Sequence, residues 1–185
     1  MANADAAYGF RLVEGADSRY NLRRCHIPAA DTTATFIGDA VKMHGTSLNG
    51  TPSVIQCAAG DPVYGVIVSF EADPATSLED QYRKASTLRY CQVAMADSGV
   101  FQIQDNGTID ITSAGLNANF IVGTGSTVTG LSAMEINSAT EATTSTLDLQ
   151  LIAPVARADN DPAAANADWL VSFNDPQQKP LRTGV

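Results

Sequence analysis

The side chains best suited to covalent or metal chemistry are three cysteines and two histidines: Cys25, Cys57, Cys91, His26 and His44. A nucleophile needs a base within hydrogen-bond reach, and a zinc site needs ligands converging at a recognisable spacing. Neither pattern is present. Cys25 and His26 are adjacent, and in an extended segment neighbouring side chains point to opposite faces, so they do not pair as nucleophile and base. An odd number of widely spaced cysteines with no CxxC pair reads as reduced thiols. Gly123-Thr124-Gly125-Ser126-Thr127 has the glycines of a phosphate-cradling loop but not its lysine, its glycine spacing or a following long helix, and reads as a turn. Asp159-Asn160-Asp161-Pro162 lacks the glycine and terminal glutamate of a calcium loop. The expectation is therefore no catalytic residue, no metal, no cofactor and no enzymatic activity, with the acidic residues forming a solvated surface.

Composition narrows the field further. The chain has 185 residues, enough for one domain with a packed core. Its 11 Lys and Arg against 20 Asp and Glu give a formal charge of -9, and a binder of nucleic-acid phosphates needs the opposite sign. Direct nucleic-acid binding is thus excluded. At 44% hydrophobic and 17% charged residues the chain is too apolar to be wholly disordered. Met1-Ala2-Asn3-Ala4-Asp5 lacks the basic, then apolar, start of a secretory signal, and no run approaches the roughly 18 apolar residues of a membrane span. No membrane partner is expected, and synthesis in a reducing cytoplasm follows. There, Asn49-Gly50-Thr51 and Asn106-Gly107-Thr108 read as turns rather than glycosylation sites.

These residues must be positioned by strands. From Ala34 onward, short apolar runs are separated by Gly, Asn, Asp and Pro, the punctuation of an antiparallel β protein. Thr35 to Val41 is one run. Val63 to Phe70 is nearly continuously apolar and predicts a core strand covered on both faces. Leu88 to Met95 and Val100 to Gln104 follow, and alternation from Thr108 to Thr112 after Asn106-Gly107 predicts a tight hairpin, with a loop and short helical turn as the alternative. Leu131 to Ile136, Leu147 to Leu151 and Trp169 to Phe173 alternate again. No segment sustains a helical apolar period for three turns, so the fold expected is all-β: an antiparallel sandwich, jelly roll or barrel. Residues 153 to 167 read as a long connection.

The ends differ from this body, residues 31 to 175. Residues 1 to 30 place Arg11, Arg19, Arg23 and Arg24 among Tyr8, Phe10 and Tyr20, and predict either an extended arm across another surface or a first strand with a loop. Residues 176 to 185 read as a loose tail. Charge is also uneven: nine acidic residues and one basic, Arg157, lie between Asp97 and Asp168, whereas residues 11 to 42 hold five basic ones. Such asymmetry orients a basic arm towards an acidic neighbour.

The order of segments resembles a known family. Ala2-Asn3-Ala4-Asp5-Ala6-Ala7-Tyr8-Gly9-Phe10-Arg11-Leu12-Val13 is similar to the opening of the capsid cement, or decoration, proteins of tailed bacteriophages. Similar pieces follow in sequence: Phe36 to Val41, Val63 to Val68, Tyr82 to Tyr90, Phe101 to Gln104, Gly115 to Asn119, Gly130 to Glu135, the Leu147-Leu149-Leu151 strand, Arg157 to Asn160 and Ala167-Asp168-Trp169. Asn174 to Val185 departs from the pattern. The resemblance implies a non-enzymatic, β-rich virion protein, some members having a jelly-roll core. It would bind the outer capsid surface, bridge neighbouring major capsid proteins, stabilise the head, and attach as a homodimer or homotrimer at local symmetry axes. By the same resemblance Tyr8, Phe10 and Arg11 would be capsid contacts. The rival expectation is a head-fibre or tail-associated module that binds a host glycan, a role that calls for aromatic platforms from a chain with one Trp and five Tyr.

Overall fold

The structure, a computed structural model, describes residues 3–15, 22–45, 47–72 and 80–178. It is all-β and sandwich-like. The strands are β1 (Arg11–Gly15), β2 (Leu22–Ile27), β3 (Ala40–Met43), β4 (Val54–Gln56), β5 (Gly65–Phe70), β6 (Arg89–Met95), β7 (Gly99–Gln104), β8 (Asn117–Ala118), β9 (Phe120–Ile121), β10 (Glu135–Ile136), β11 (Leu149–Pro154) and β12 (Asp168–Phe173). One five-stranded antiparallel sheet runs β1-β7-β12-β11-β8, the other β2-β6-β5-β3-β4, and β9 pairs with β10 in a two-stranded ribbon.

The second sheet curls. The His26 N–H donates to Pro52 O at 2.9 Å and His26 bridges Ser53 in parallel, which draws the β2 edge towards β4. Inside the curl sit Cys25, Ile27, Val41, Val54, Ile67, Cys91 and Val93. The opposite face of the same sheet, through Ala40, Val66 and Ala94, packs with Phe101, Ile103, Trp169, Val171, Leu149 and Leu151 of the first sheet. Because side chains alternate along a strand, Val66 and Ile67 enter different cores, and β5 is covered on both faces as its continuous apolar run predicts.

Two expected strands are corrected. Of the run Thr35 to Val41 only the end joins β3, because Gly38 takes φ +94° and the Asp39 carboxylate accepts the Phe36 N–H at 2.8 Å, folding the chain into a turn. The expected hairpin after Asn106-Gly107 is a loop ending in a single 3-10 turn at Ile111–Ser113, the alternative that the alternation left open. Asp110 caps it by accepting the Thr112 N–H at 2.8 Å, while Asp105 accepts backbone N–H groups from Ile109 and Ala167. Side-chain acceptors therefore supply the bonds that a second hairpin strand would have made.

Residues 1 to 30 form the first strands rather than a free arm, as far as they are described. β1 pairs with β7 and β2 with β6, so the segment contributes one strand to each sheet. Asn49 and Gly50 adopt φ of 50° and 78° between the paired Leu48 and Thr51, the turn that Asn-Gly predicts. Of the tail, Pro176 bridges Val63 and the Gln177 N–H donates to Val63 O at 2.9 Å. Those three residues, 176 to 178, lie against the body, and the rest of the tail lies outside the described residues.

Candidate functional site

The N-terminal segment crosses the face of the first sheet that points away from the shared core, and it is stitched there by side chains. Asn3 donates to Asp161 O (2.9 Å) and Ala165 O (3.0 Å) and accepts the Asp161 N–H (2.8 Å). Gln104 on β7 donates to Ala4 O (2.9 Å) and Asn166 O (3.0 Å) and accepts the Ala6 N–H (3.0 Å). At the segment's end the Tyr8 hydroxyl donates to Asp168 Oδ1 at 2.7 Å, while Gln102 Nε2 donates to both the Tyr8 oxygen (2.7 Å) and Asp168 Oδ2 (3.1 Å). Arg157 Nη2 donates to Asp168 Oδ2 at 2.8 Å and its Nε pairs with Asp159. Asn160 grips the Asp168 backbone from the other side, accepting its N–H at 2.8 Å and donating to its carbonyl at 3.0 Å.

Asp168 is thus the hub of a satisfied polar network. Burial, followed by the Asp168 carboxylate, holds the Tyr8 phenol well above its ordinary pKa, so it remains a proton donor to that carboxylate. A cavity of about 280 Å³ opens between the segment and the 157–168 connection, walled by these same groups. The amides of Asn3, Gln104 and Asn160 and both Asp168 oxygens are engaged with protein partners. Such an arrangement clasps a segment in place.

The three residues expected at a capsid contact separate here. Phe10 is 2% exposed and sits in the main core, its ring 6.3 Å from Phe101, 5.8 Å from Phe120 and 4.9 Å from Phe173. A ring so placed has no surface for a partner, and Phe10 is corrected from contact to core residue. Tyr8 is also buried, by the clasp. Arg11 alone is exposed, its guanidinium 3.8 Å from the centre of the Tyr8 ring. Alternation along an extended chain offers no way to tell a Phe aimed into its own core from one aimed at a neighbour.

The approach of this segment depends on two glycines that touch. Gly9 (φ +71°) faces Gly38, and a Cβ on Gly9 would stand 2.5 Å from Gly38 O and 2.5 Å from Ser132 Cβ. The Phe10 N–H reaches Gly38 O at 2.9 Å across the contact. Gly9→Ala is expected to cost about 3 kcal/mol through a positive φ and a backbone clash together, read as a lower urea midpoint, whereas Ala7→Ser on the half-exposed side of the clasp should leave it unchanged.

The cysteines lie elsewhere. Cys25, Cys57 and Cys91 are free and buried, and burial pushes the Cys25 thiol up to about 11 and the other two higher still. At neutral pH none presents a thiolate. Cys25 faces the curled sheet's interior, while the His26 ring lies 6.2 Å from Tyr90, so strand geometry parts the adjacent pair. Among the described residues no three His, Cys, Asp or Glu side chains converge as a metal site. Compared with protein families, curated proteins and solved structures, the chain matches none.

Residues that the sequence left unremarked organise the loops. Arg83 is fully buried and donates to four backbone carbonyls, those of Pro28 (2.7 Å), Asp31 (2.7 Å), Thr87 (2.8 Å) and Thr33. Arg89 does the same for Glu71, Tyr82 and Asp80. Their signal in sequence was only their place in Tyr82-Arg83-Lys84-Ala85-Ser86-Thr87-Leu88-Arg89-Tyr90.

Proposed function

We propose that the chain is a virion structural protein of a tailed bacteriophage, a cement protein that binds the outer surface of the head and bridges neighbouring major capsid proteins. The observation that carries this reading is the ordered series of segments resembling that family, and three of them meet at one place. Asn3 and Tyr8 come from the opening, Arg157 and Asn160 from the second-last of those segments, and Asp168 from the last, and all converge on the clasp. The supporting chemistry is that of a scaffold: three protonated, buried thiols and a polar network whose members satisfy one another.

The protein is made in the host cytoplasm, needs no cofactor, and is incorporated in many copies as a dimer or trimer at local symmetry axes. Cement of this kind works by many moderate contacts across subunit boundaries, so that separating any one capsomer requires breaking several at once. A glycan-binding role for a head-fibre or tail module is less well supported, because Trp169 is fully buried and Tyr8 and Tyr90 each have a ring face covered by an arginine. The test is incubation of the purified chain with expanded, undecorated capsids. Saturable binding at a fixed copy number is the expected result; no binding, with retention on host glycans, would replace this reading with the fibre module.

A further inference from the structure

In a chain of formal charge -9, the stretch from Ile111 through Met134 contains no ionisable side chain at all. It nevertheless reaches the surface. Three of the seven large apolar side chains exposed among the described residues fall within it: Ile111, Val122 and Val128, the last 86% exposed. Val122 and Val128 belong to the same excursion, which leaves β9 at Ile121 and returns to β10 at Glu135.

The tip of that excursion is tied down. The Ser126 N–H donates to Leu131 O (2.9 Å), the Gly130 N–H to Ser126 O (2.8 Å), and the Thr129 N–H to Ser126 Oγ (3.2 Å). Gly125 rests on the Phe36 ring, which is stacked on Tyr82 at 5.1 Å. Val128 is therefore held out on a loop that is already ordered, and covering it requires little further loss of conformational freedom.

We propose that the Val122–Thr129 tip is the surface through which copies of this chain contact one another. The argument is electrostatic. Two copies of a strongly acidic protein repel wherever their carboxylates face each other, and a self-complementary contact places the same patch on both partners. The tip, with no charged side chain of its own, meets an identical tip, and charged residues are the ones depleted at the centres of protein contacts. The inference deepens the small-oligomer part of the reading above. It does not depend on attachment to a shell, which the capsid-binding experiment measures separately.

A contact of this kind has a distinctive salt response. Ion-paired interfaces weaken as salt screens them, whereas here salt screens only the repulsion between the acidic bodies, so association should tighten. Sedimentation velocity of the full chain at 50 and 500 mM NaCl tests it. The expected result is one small oligomer, with a dissociation constant several-fold lower at the higher salt. Val128→Asp, at a site too exposed to affect folding, should weaken it at least tenfold, with the β circular-dichroism signal unchanged. Ile152→Asp, on an exposed residue outside the uncharged stretch, should leave it intact. A monomeric wild type at both salts, weakening with salt, an unaffected Val128→Asp variant, or equal dissociation by Ile152→Asp would each overturn the proposal. A monomer that needs Val128 to bind undecorated capsids would also overturn it, assigning the tip to the shell instead.

Discussion

Arg83→Met is expected to destabilise the protein by about 4 kcal/mol, in the range found when a buried, fully bonded charged group is removed from its partners. The guanidinium lies wholly inside the protein, and the carboxylate paired with it among the described residues, Asp31 Oδ2, is 3.4 Å away. Carbonyl dipoles from Pro28, Asp31, Thr33 and Thr87 carry most of the compensation. Burial accordingly lowers the Arg83 pKa, with Asp31 opposing it. Methionine fills comparable volume but leaves those carbonyls without donors, and that loss is the source of the cost. Thr35 and Arg83 also exchange backbone bonds, at 3.0 and 2.8 Å, so the two loops should loosen together. For a chain of this size the change corresponds to a fall in melting temperature of about 10 °C. Arg83→Lys should recover little, since one ammonium cannot span four carbonyls. A melting temperature within 2 °C or so of wild type for Arg83→Met would show that the loops hold without it.

Acidification from pH 7.5 to 5 is expected to stabilise the protein. Asp39 and Asp105 are buried, and burial raises both carboxyls to about 6 despite the N–H groups they accept. A carboxyl that binds its proton more tightly folded than unfolded contributes stability that is fully present below the unfolded pKa and lost as pH rises through the folded value. The gain therefore appears between pH 7 and about 4. At pH 5, one unit below the folded value, each group contributes about 1.4 kcal/mol, or roughly 3 kcal/mol for the pair. The carboxyls held low by partners, Asp61 beside Lys42 and Glu71 beside Arg24, give up their contribution only as pH falls below the ordinary carboxylate range, outside this window. Urea midpoints should rise over that interval in the wild type and much less in Asp39→Asn/Asp105→Asn, which keeps the side-chain shape and removes the titrating carboxyls. Equal slopes for the two proteins would mean that these carboxyls titrate normally.

The strands were legible where alternation or a continuous apolar run was strong. Val63 to Phe70 announced burial on both faces, and Leu149 and Leu151 of β11 and Trp169, Val171 and Phe173 of β12 are buried as their periods suggested. What escaped were features made by side chains meeting backbone far away in sequence. Asp105 accepts from Ala167, and that long-range bond converts an apparent hairpin into a loop. Arg83 binds carbonyls some 50 residues upstream, and nothing local marks it as buried. The clasp is half legible: its three segments lie among those the resemblance picks out, but the resemblance turns Tyr8 and Phe10 outward, and an aromatic, basic segment with no period looks the same whether it packs on its own body or on another. β-bulges account for two of the exposed apolar residues, Val13 and Ile152, each the extra residue where a register shifts. No period-2 reading reveals a bulge in advance.

The most direct test of the cement reading compares virions assembled with and without this protein, heated or transferred to low ionic strength while genome release is followed by a DNA-binding dye. Complete particles should hold their DNA under conditions that empty the particles lacking it, and adding purified protein back should restore retention. Particles that endure equally well without it would contradict the account at its centre.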